Sequence, residues 1–242
     1  MAVVSCEQCR LRCKPQFHQF GDDELAFVQT LQSTQSSMAP NADILVPGEA
    51  KGLFTLFAGW AYRYREFPDG NRQILDFLLP GDLIGLQATL LDQTQYGVKT
   101  LTAATVCVLD GRPLDEMFRE HPALAHLLVR TLMQDQRRTD GQLAFLGRRT
   151  AAQRMGYLML ELFDRLDRIG MSNGTWCQFP LQRRHLADAL GLSGAHVNRS
   201  MTDLRDAGLA TLGNNVLVLL DRARLEDFAG YRALDEGERI IL

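Results

Sequence analysis

No stretch of this 242-residue chain is apolar for long enough to cross a bilayer, and its N-terminus lacks the basic-then-apolar layout of a secretory signal. Excess positive charge is missing too. The 26 Lys and Arg stand against 29 Asp and Glu, for a formal net charge of -3. That excludes coating of polyanions through global basicity, so any nucleic-acid contact must come from a local patch. The five histidines are scattered and no Gly-rich phosphate loop is present. No acid, base or nucleophile constellation marks an enzyme. Internal repeats and low-complexity tracts are absent as well. Cysteine is sparse and odd in number, at five. In the reducing cytoplasm expected for this chain, such cysteines serve as ligands, reactive thiols or core filler more readily than as disulfides.

The chain is 46% hydrophobic, enough to fill one large or two ordinary domains. Three cysteines crowd into CEQCRLRC at 6–13. Acidic residues open a stretch from Asp22 to Gln32 in which Leu25, Phe27, Val28 and Leu31 have helical spacing. From Ile44 to about Val108, short apolar runs alternate with the turn signals PGEA, PDGN and PGD. In PDGN, Pro68 presets one turn position and Gly70 accepts positive φ, which predicts a hairpin. Many short strands at this spacing predict an antiparallel sandwich or roll. Pro122 suits the first turn of a long helix whose stripe runs through Leu124, Leu127, Leu128 and Leu132 to Leu143 and Leu146. A helix far longer than the usual ~11 to 12 residues often packs against a partner chain. Leu124, Leu128, Leu132 and Leu143 are therefore the expected dimer contacts.

The most specific segment is RRHLADALGLSGAHVNRSMTDL at 183–204. A first helix reaches Gly191, where a tight turn accepts positive φ, and Ser193 is a good N-cap for a second. On that second helix Val197, Met201 and Leu204 share the inward face. Ala195, His196, Asn198 and Arg199 project the other way. Small Ala187, the turn glycine and an exposed polar helix face together describe a helix-turn-helix. Arg183 and Arg184 add local positive charge for phosphates, within an otherwise acidic chain. GLATLGNNVLVLLD then supplies two short strands across Gly213-Asn214-Asn215, the wing of a winged helix.

Taken in order, these parts give an α+β fold: a Cys-containing segment (1–21), an antiparallel β-roll sensor (22–118), a dimerisation helix (119–147) and a winged helix-turn-helix domain (148–242). In GWAYRYREFPDGNRQILDFLLPGDLIGL (59–86) and LADALGLSGAHVNRSMTDLRDAGL (186–209) the chain resembles the CRP/FNR superfamily of bacterial transcription regulators, over nearly its whole length. The resemblance implies a cyclic-nucleotide-binding-like jelly roll. It also implies a cytoplasmic homodimer on a palindromic site in double-stranded DNA, acting on RNA polymerase in answer to a redox, oxygen or gas signal.

Departures from the family pattern narrow the signal. Cyclic-AMP-binding members carry a Gly-Glu-Leu start and an Arg-Ser or Arg-Thr pair for the cyclic phosphate. Here Gly81-Asp82-Leu83 begins that stretch and Gln95-Tyr96 stands where the pair belongs, so no cyclic AMP is expected. In the oxygen-sensing branch, three N-terminal cysteines and one in the roll hold a [4Fe-4S] cluster. Cys6, Cys9, Cys13 and Cys107 are the counterparts, although Cys9 and Cys13 stand closer together than the family spacing. A second group, resembling FixK-type regulators, has a similar opening with only two N-terminal cysteines, which would leave Cys13 incidental. Metal-free redox-responsive thiols and zinc with His18 as fourth ligand also stay open beside the cluster. So do an unknown small ligand, constitutive binding and, more distantly, an iron–sulfur or zinc redox protein. Cys177 is expected to be a packing thiol. On the recognition helix the family's Glu-Ser-Arg set becomes Ala195, Asn198 and Arg199, with His196 beside them.

Overall fold

The computed structural model describes residues 6–48, 52–110, 114–234 and 237–242. Of the PGEA turn, residues 49 and 50 lie outside these. The chain forms two compact units. The first comprises Met1–Arg65, Phe77–Gln136 and Glu236–Leu242, and the second Glu66–Asp76 with Arg137–Asp235. Residues 66–76 group with the C-terminal unit, and the end of the chain returns to the first.

The first unit opens with a single 3-10 turn at Cys6–Gln8. Helix α1 (Asp22–Leu31) starts on Asp22, Asp23 and Glu24, where carboxylates suit the positive end of the helix dipole, and buries Phe27, Val28 and Leu31. It runs directly into β1 (Gln32–Met38). Then follow β2 (Asp43–Leu45), β3 (Leu53–Ala58), β4 (Ala61–Glu66), β5 (Arg72–Leu78), β6 (Leu83–Ile84), the short α2 (Leu86–Leu91), β7 (Gly97–Thr100) and β8 (Ala104–Leu109). They make two four-stranded sheets, ordered β1-β8-β3-β6 and β2-β7-β4-β5. In the first, β8 lies antiparallel to both β1 and β3, with Val106 opposite Ser36 on one side and Leu56 on the other. Leu45, Leu56, Ala61, Ile84, Val98 and Val106 fill one core of this roll.

A second core is built where helices cover the roll. Helix α3 (Leu114–Glu120) and α4 (Pro122–Arg148) follow β8. At 27 residues α4 is about 40 Å long. Its Leu124 and Leu128 pack with Leu31, Leu53, Leu114 and Met117, and Leu132 leans on the same cluster. This corrects the expected dimer contacts. Leu124 is 0% and Leu128 1% exposed within their own unit, so neither is available to a partner chain. The stripe through 124, 128 and 132 is the face α4 turns toward its own core. Its outward apolar residues are Val129, Met133 and Leu143.

In the second unit, α5 (Ala151–Arg168) begins on a capping box. Thr150 Oγ1 accepts from the Gln153 amide at 3.3 Å while Gln153 Oε1 accepts from the Thr150 amide at 3.1 Å. Then come β9 (Ser172–Asn173), β10 (Trp176–Gln178), α6 (Arg183–Leu190), α7 (Gly194–Asp206), β11 (Ala210–Gly213), β12 (Val216–Leu219) and α8 (Arg222–Ala229). The strands form one sheet in the order β11-β12-β10-β9. Asn214 and Asn215, at φ 51° and 60°, turn β11 into β12 as a two-residue hairpin, for which asparagine is the common non-glycine choice. Cys177 on β10 is fully buried, and burial pushes its thiol up to about 12. It is an inert packing thiol.

Four charges are enclosed here as well. Arg165 on α5 stands 3.4 Å from Asp76 and 3.3 Å from Glu161, and Arg138 on α4 lies 3.7 Å from Asp76 and 3.9 Å from Glu161. Two cations and two anions cancel, which makes their burial affordable. Removing one strands its partners away from water. Glu161→Gln should therefore destabilise the protein by about 3–5 kcal/mol, read as a lower urea midpoint at unchanged slope. An unchanged midpoint would show that the quartet is not closed in solution.

Candidate nucleic-acid interface and thiol pocket

Helix α6 ends where Gly191 takes the left-handed conformation, φ 61°, and its amide bonds Ala187 O. Arg154 of α5 closes the same end by donating to Leu190 O at 2.9 Å. Two residues later Ser193 caps α7. Its Oγ accepts from the His196 amide and lies 2.9 Å from His196 Nδ1. This is the tight turn between two helices read from the sequence, with the expected glycine and cap.

The inward face of α7 is Val197, Ser200 and Leu204. Met201, expected there, is only half-buried. Positions 200 and 201 lie about 300° and 40° round the helix from 197, and the packing against α5 takes the former. Met201 instead lines a groove with Arg183, Asn198, Thr202 and Arg205. Ala195, His196, Asn198 and Arg199 are all exposed, as are Arg183 and Arg184 on α6. Among the described residues Arg199 has no ion-pair partner, whereas Arg205 is answered by Asp206 at 2.9 Å.

Sequence reasoning missed how α6 is held. Arg72, at the start of β5 and part of the second unit, makes a two-nitrogen bond to Asp188 Oδ2 at 2.6 and 3.0 Å. Gln73 adds a hydrogen bond to Ala189 O at 3.0 Å. Asp188 is thereby neutralised, leaving the exposed arginines of α6 and α7 less opposed. A single arginine after a hairpin turn carries no signal in sequence for this role. His185 of α6 is buried, and burial together with Arg184 pulls its pKa down to about 4. It is an uncharged core imidazole at neutral pH.

In the first unit, Cys6, Cys9 and Cys107 line one pocket together with Arg12. The Cys6 thiol donates to Gln32 Oε1 at 2.9 Å, and Gln35 Nε2 donates to Cys107 Sγ at 3.4 Å. Burial raises both thiols above their ordinary value, and the guanidinium of Arg12 works against the rise. Cys13 does not join them. It is exposed, with its sulfur directed toward Cys9 O at 4.0 Å. His18 is also placed elsewhere, with Nδ1 3.1 Å from Glu238 and Nε2 3.1 Å from Glu24. Among the described residues no three His, Cys, Asp or Glu are arranged to hold a metal ion. The four cysteines as arranged do not fit a four-thiolate cluster, nor do Cys6, Cys9, Cys13 and His18 fit zinc. Three thiols share their pocket with a cation.

The stretch that corresponds to the cyclic-nucleotide cassette is otherwise engaged. Asp82 accepts from the Leu79 amide at 2.8 Å and pairs with Arg239 at 3.4 Å. Gly81, at φ 99°, is required because a Cβ there would strike the Phe17 ring. Tyr96 lies under Arg63, 5.2 Å from guanidinium to ring centre, and Lys99 pairs with Asp43 at 3.5 Å.

A roll of two antiparallel sheets followed by a winged helix-turn-helix defines a class, the transcription regulators that join such a roll to a DNA-binding domain. Residues 36–121 match the cyclic nucleotide-binding domain, and residues 153–228 match the Crp-like helix-turn-helix domain. The chain belongs to the CRP/FNR family and is a regulator of the FixK/FNR type. It is 29% identical over 177 residues to the nitrogen fixation regulation protein FixK of Bradyrhizobium diazoefficiens, covering 73% of each chain. With the transcriptional activator protein FnrL of Cereibacter sphaeroides it shares 27% identity over 230 residues, 93% of this chain and 92% of that one. The solved structure of FixK2 from Bradyrhizobium japonicum superimposes with a TM-score of 0.74 at 25% identity, covering 83% of this chain and 98% of that one. These relatives are transcription regulators, not enzymes. No helix among the described residues is long and apolar enough to cross a membrane.

Proposed function

We propose that this chain works in the cytoplasm as a homodimer on a palindromic DNA site, with its affinity set by the redox state of Cys6, Cys9 and Cys107. The observation that carries the DNA reading is the exposed face of α7. Arg199 projects from it without an ion-pair partner among the described residues, suited to bidentate contact with guanine. Asn198 and His196 stand beside it as further readers, and Ala195 offers a methyl group in place of a carboxylate. Ser193 holds the start of the helix, and Arg183 and Arg184 take phosphates. Bound upstream of a promoter, such a dimer acts on RNA polymerase.

Arg199→Ala should weaken operator binding by about 1–3 kcal/mol, a factor of roughly 5 to 150 in Kd, because one base contact is lost. Its thermal midpoint should stay within a degree or so, since the side chain is exposed. Unchanged affinity by fluorescence anisotropy would remove α7 as the reading element.

For the dimer, the support is the outward stripe of α4, where Val129 and Met133 are 45% and 54% exposed one turn apart. Met133→Glu places a charge on that stripe without touching the core. It should shift the protein to monomers in sedimentation equilibrium, and an intact dimer would locate the interface elsewhere.

For the signal, the support is the convergence of three thiols and Arg12 on one pocket, with Cys13 left outside. Operator affinity should differ between protein kept in excess thiol reductant and protein exposed to peroxide, and Cys107→Ser should abolish the difference. Iron retained after anaerobic purification, and lost in Cys13→Ser, would overturn this metal-free reading. It would restore the four-cysteine cluster.

A further inference from the structure

The end of the chain is held in the first unit as a bound peptide is held. Glu238 meets the His18 ring at 3.1 Å, and its carbonyl accepts from Gln134 Nε2 at 3.4 Å. Arg239 pairs with Phe17 as a parallel bridge. Its amide donates to Gln16 O at 2.8 Å, and its carbonyl accepts from the His18 amide at 2.9 Å. Arg239 is only 6% exposed, and its guanidinium lies between Asp135 at 2.8 Å and Asp82 at 3.4 Å. The Ile240 amide donates to Thr131 Oγ1 at 3.0 Å, and Thr55 Oγ1 donates to the Leu242 carbonyl at 2.6 Å. Ile240, Ile241 and Leu242 are buried, and Ile240 and Leu242 join the helix-covered core. Main-chain pairing, one charged side chain in a complementary pocket and apolar anchors are the means by which extended peptides are recognised.

This groove borders the thiols. Ile241 and Leu242 form part of the wall of the pocket that Cys6, Cys9, Cys107 and Arg12 line. We propose that the first unit contains a peptide-binding groove whose resident ligand is the chain's own segment Arg239–Leu242, and that this occupant and any group attached to Cys6 or Cys107 exclude one another. The coupling is reciprocal by necessity: whatever unseats the terminus opens the thiols, and whatever enlarges the thiols weakens the seat. While the terminus is seated, burial holds Cys6 and Cys107 as protonated, slowly reacting thiols. Once it leaves, water enters beside Arg12, whose Nη1 is buried without a hydrogen-bond partner among the described residues. A cation at that position favours thiolate in an opened pocket. The inference concerns access to the thiols and does not depend on their carrying the physiological signal.

The test uses the reduced full-length chain and iodoacetamide, which joins a carbamoylmethyl group to sulfur as iodide and the thiol proton leave. Peptide mass spectrometry follows each cysteine separately. Cys13 should label first, with Cys6 and Cys107 slow. Arg239→Ala, which empties the pocket between Asp82 and Asp135, should speed Cys6 and Cys107 by at least about tenfold through local opening. Cys13 should be unchanged, and Cys177 should stay protected as the monitor of global folding. Unchanged rates at Cys6 and Cys107 would overturn the proposal. The reciprocal arm needs no altered seat. Hydrogen exchange at the Arg239 and Ile240 amides, which are bonded to Gln16 O and Thr131 Oγ1 while the segment is seated, should be faster after Cys6 and Cys107 are alkylated, and the same treatment of Cys6→Ser/Cys107→Ser should have no effect. Equal exchange in labelled and unlabelled chains would sink the exclusion, whatever the fate of Arg239→Ala.

Discussion

The second unit encloses four charges, and each has a partner of opposite sign within 4 Å. Asp76 comes from the segment that follows the β4–β5 turn, Arg138 from the long helix, and Glu161 and Arg165 from α5, where the two are one turn apart. The hydrophobic driving force is non-directional and does not by itself select which polar groups meet. A closed ring of two cations and two anions does, since a shift of one element unpairs a charge in a medium where that is costly. The quartet thus contributes position more than stability. Arg72 extends the same constraint four residues upstream of Asp76, gripping Asp188 on α6. With α6 fixed by Arg72 at one side and by Arg154 at its C-terminal end, the turn at Gly191 sets where α7 presents Arg199.

The roll keeps the family's architecture while its polar groups are differently employed. Asp82 belongs to the turn that corresponds to a nucleotide cassette, yet its carboxylate is committed to Leu79 and Arg239. Tyr96 is stacked with Arg63, and Lys99 is paired with Asp43. The chemically distinctive groups lie instead under the N-terminal loop, where Cys107 on β8 and Cys6 and Cys9 on the loop share a pocket. A thiol near a guanidinium is a reactive group only when water can stabilise the thiolate. Enclosure therefore governs its chemistry here as much as charge does.

What could be read from sequence follows from which physical signals are local. The PDGN hairpin, the Pro122 helix start, the Gly191 turn with its Ser193 cap, and the Asn214-Asn215 wing are all set by one to four residues. Each was legible. Strand β1, QSTQSSM, was not, because it has no apolar alternation and owes its conformation to pairing with β8. Helical periodicity identified the buried face of α4 but could not say what buries it, so Leu124 and Leu128 were assigned to a partner chain when their own roll covers them. Spacing brought Cys6, Cys9 and Cys13 together in sequence. The turns between Cys6 and Lys14 separate them in space, with the third sulfur outside. Arg72 and Arg239 act through partners 116 and 104 to 157 residues away (Asp188; Asp135 and Asp82), and no periodicity encodes such pairings.

Within the first unit the long helix has two working faces set back to back. One carries Thr131, Gln134 and Asp135, which bind Ile240, Glu238 and Arg239 of the chain terminus. The other carries Val129 and Met133, exposed and apolar. These residues interleave within two turns of one helix, so the terminus cannot settle or leave without altering the packing directly behind the apolar stripe. A rigid helix transmits such a change as a small shift or rotation of its outward face, and close-packed interfaces respond to shifts of that size because they cannot deform continuously. Thiol access, the seat of the terminus and the stripe on α4 are thus contiguous through named contacts. A chemical event at Cys107 has a physical route to the exposed apolar stripe of α4 on the same unit.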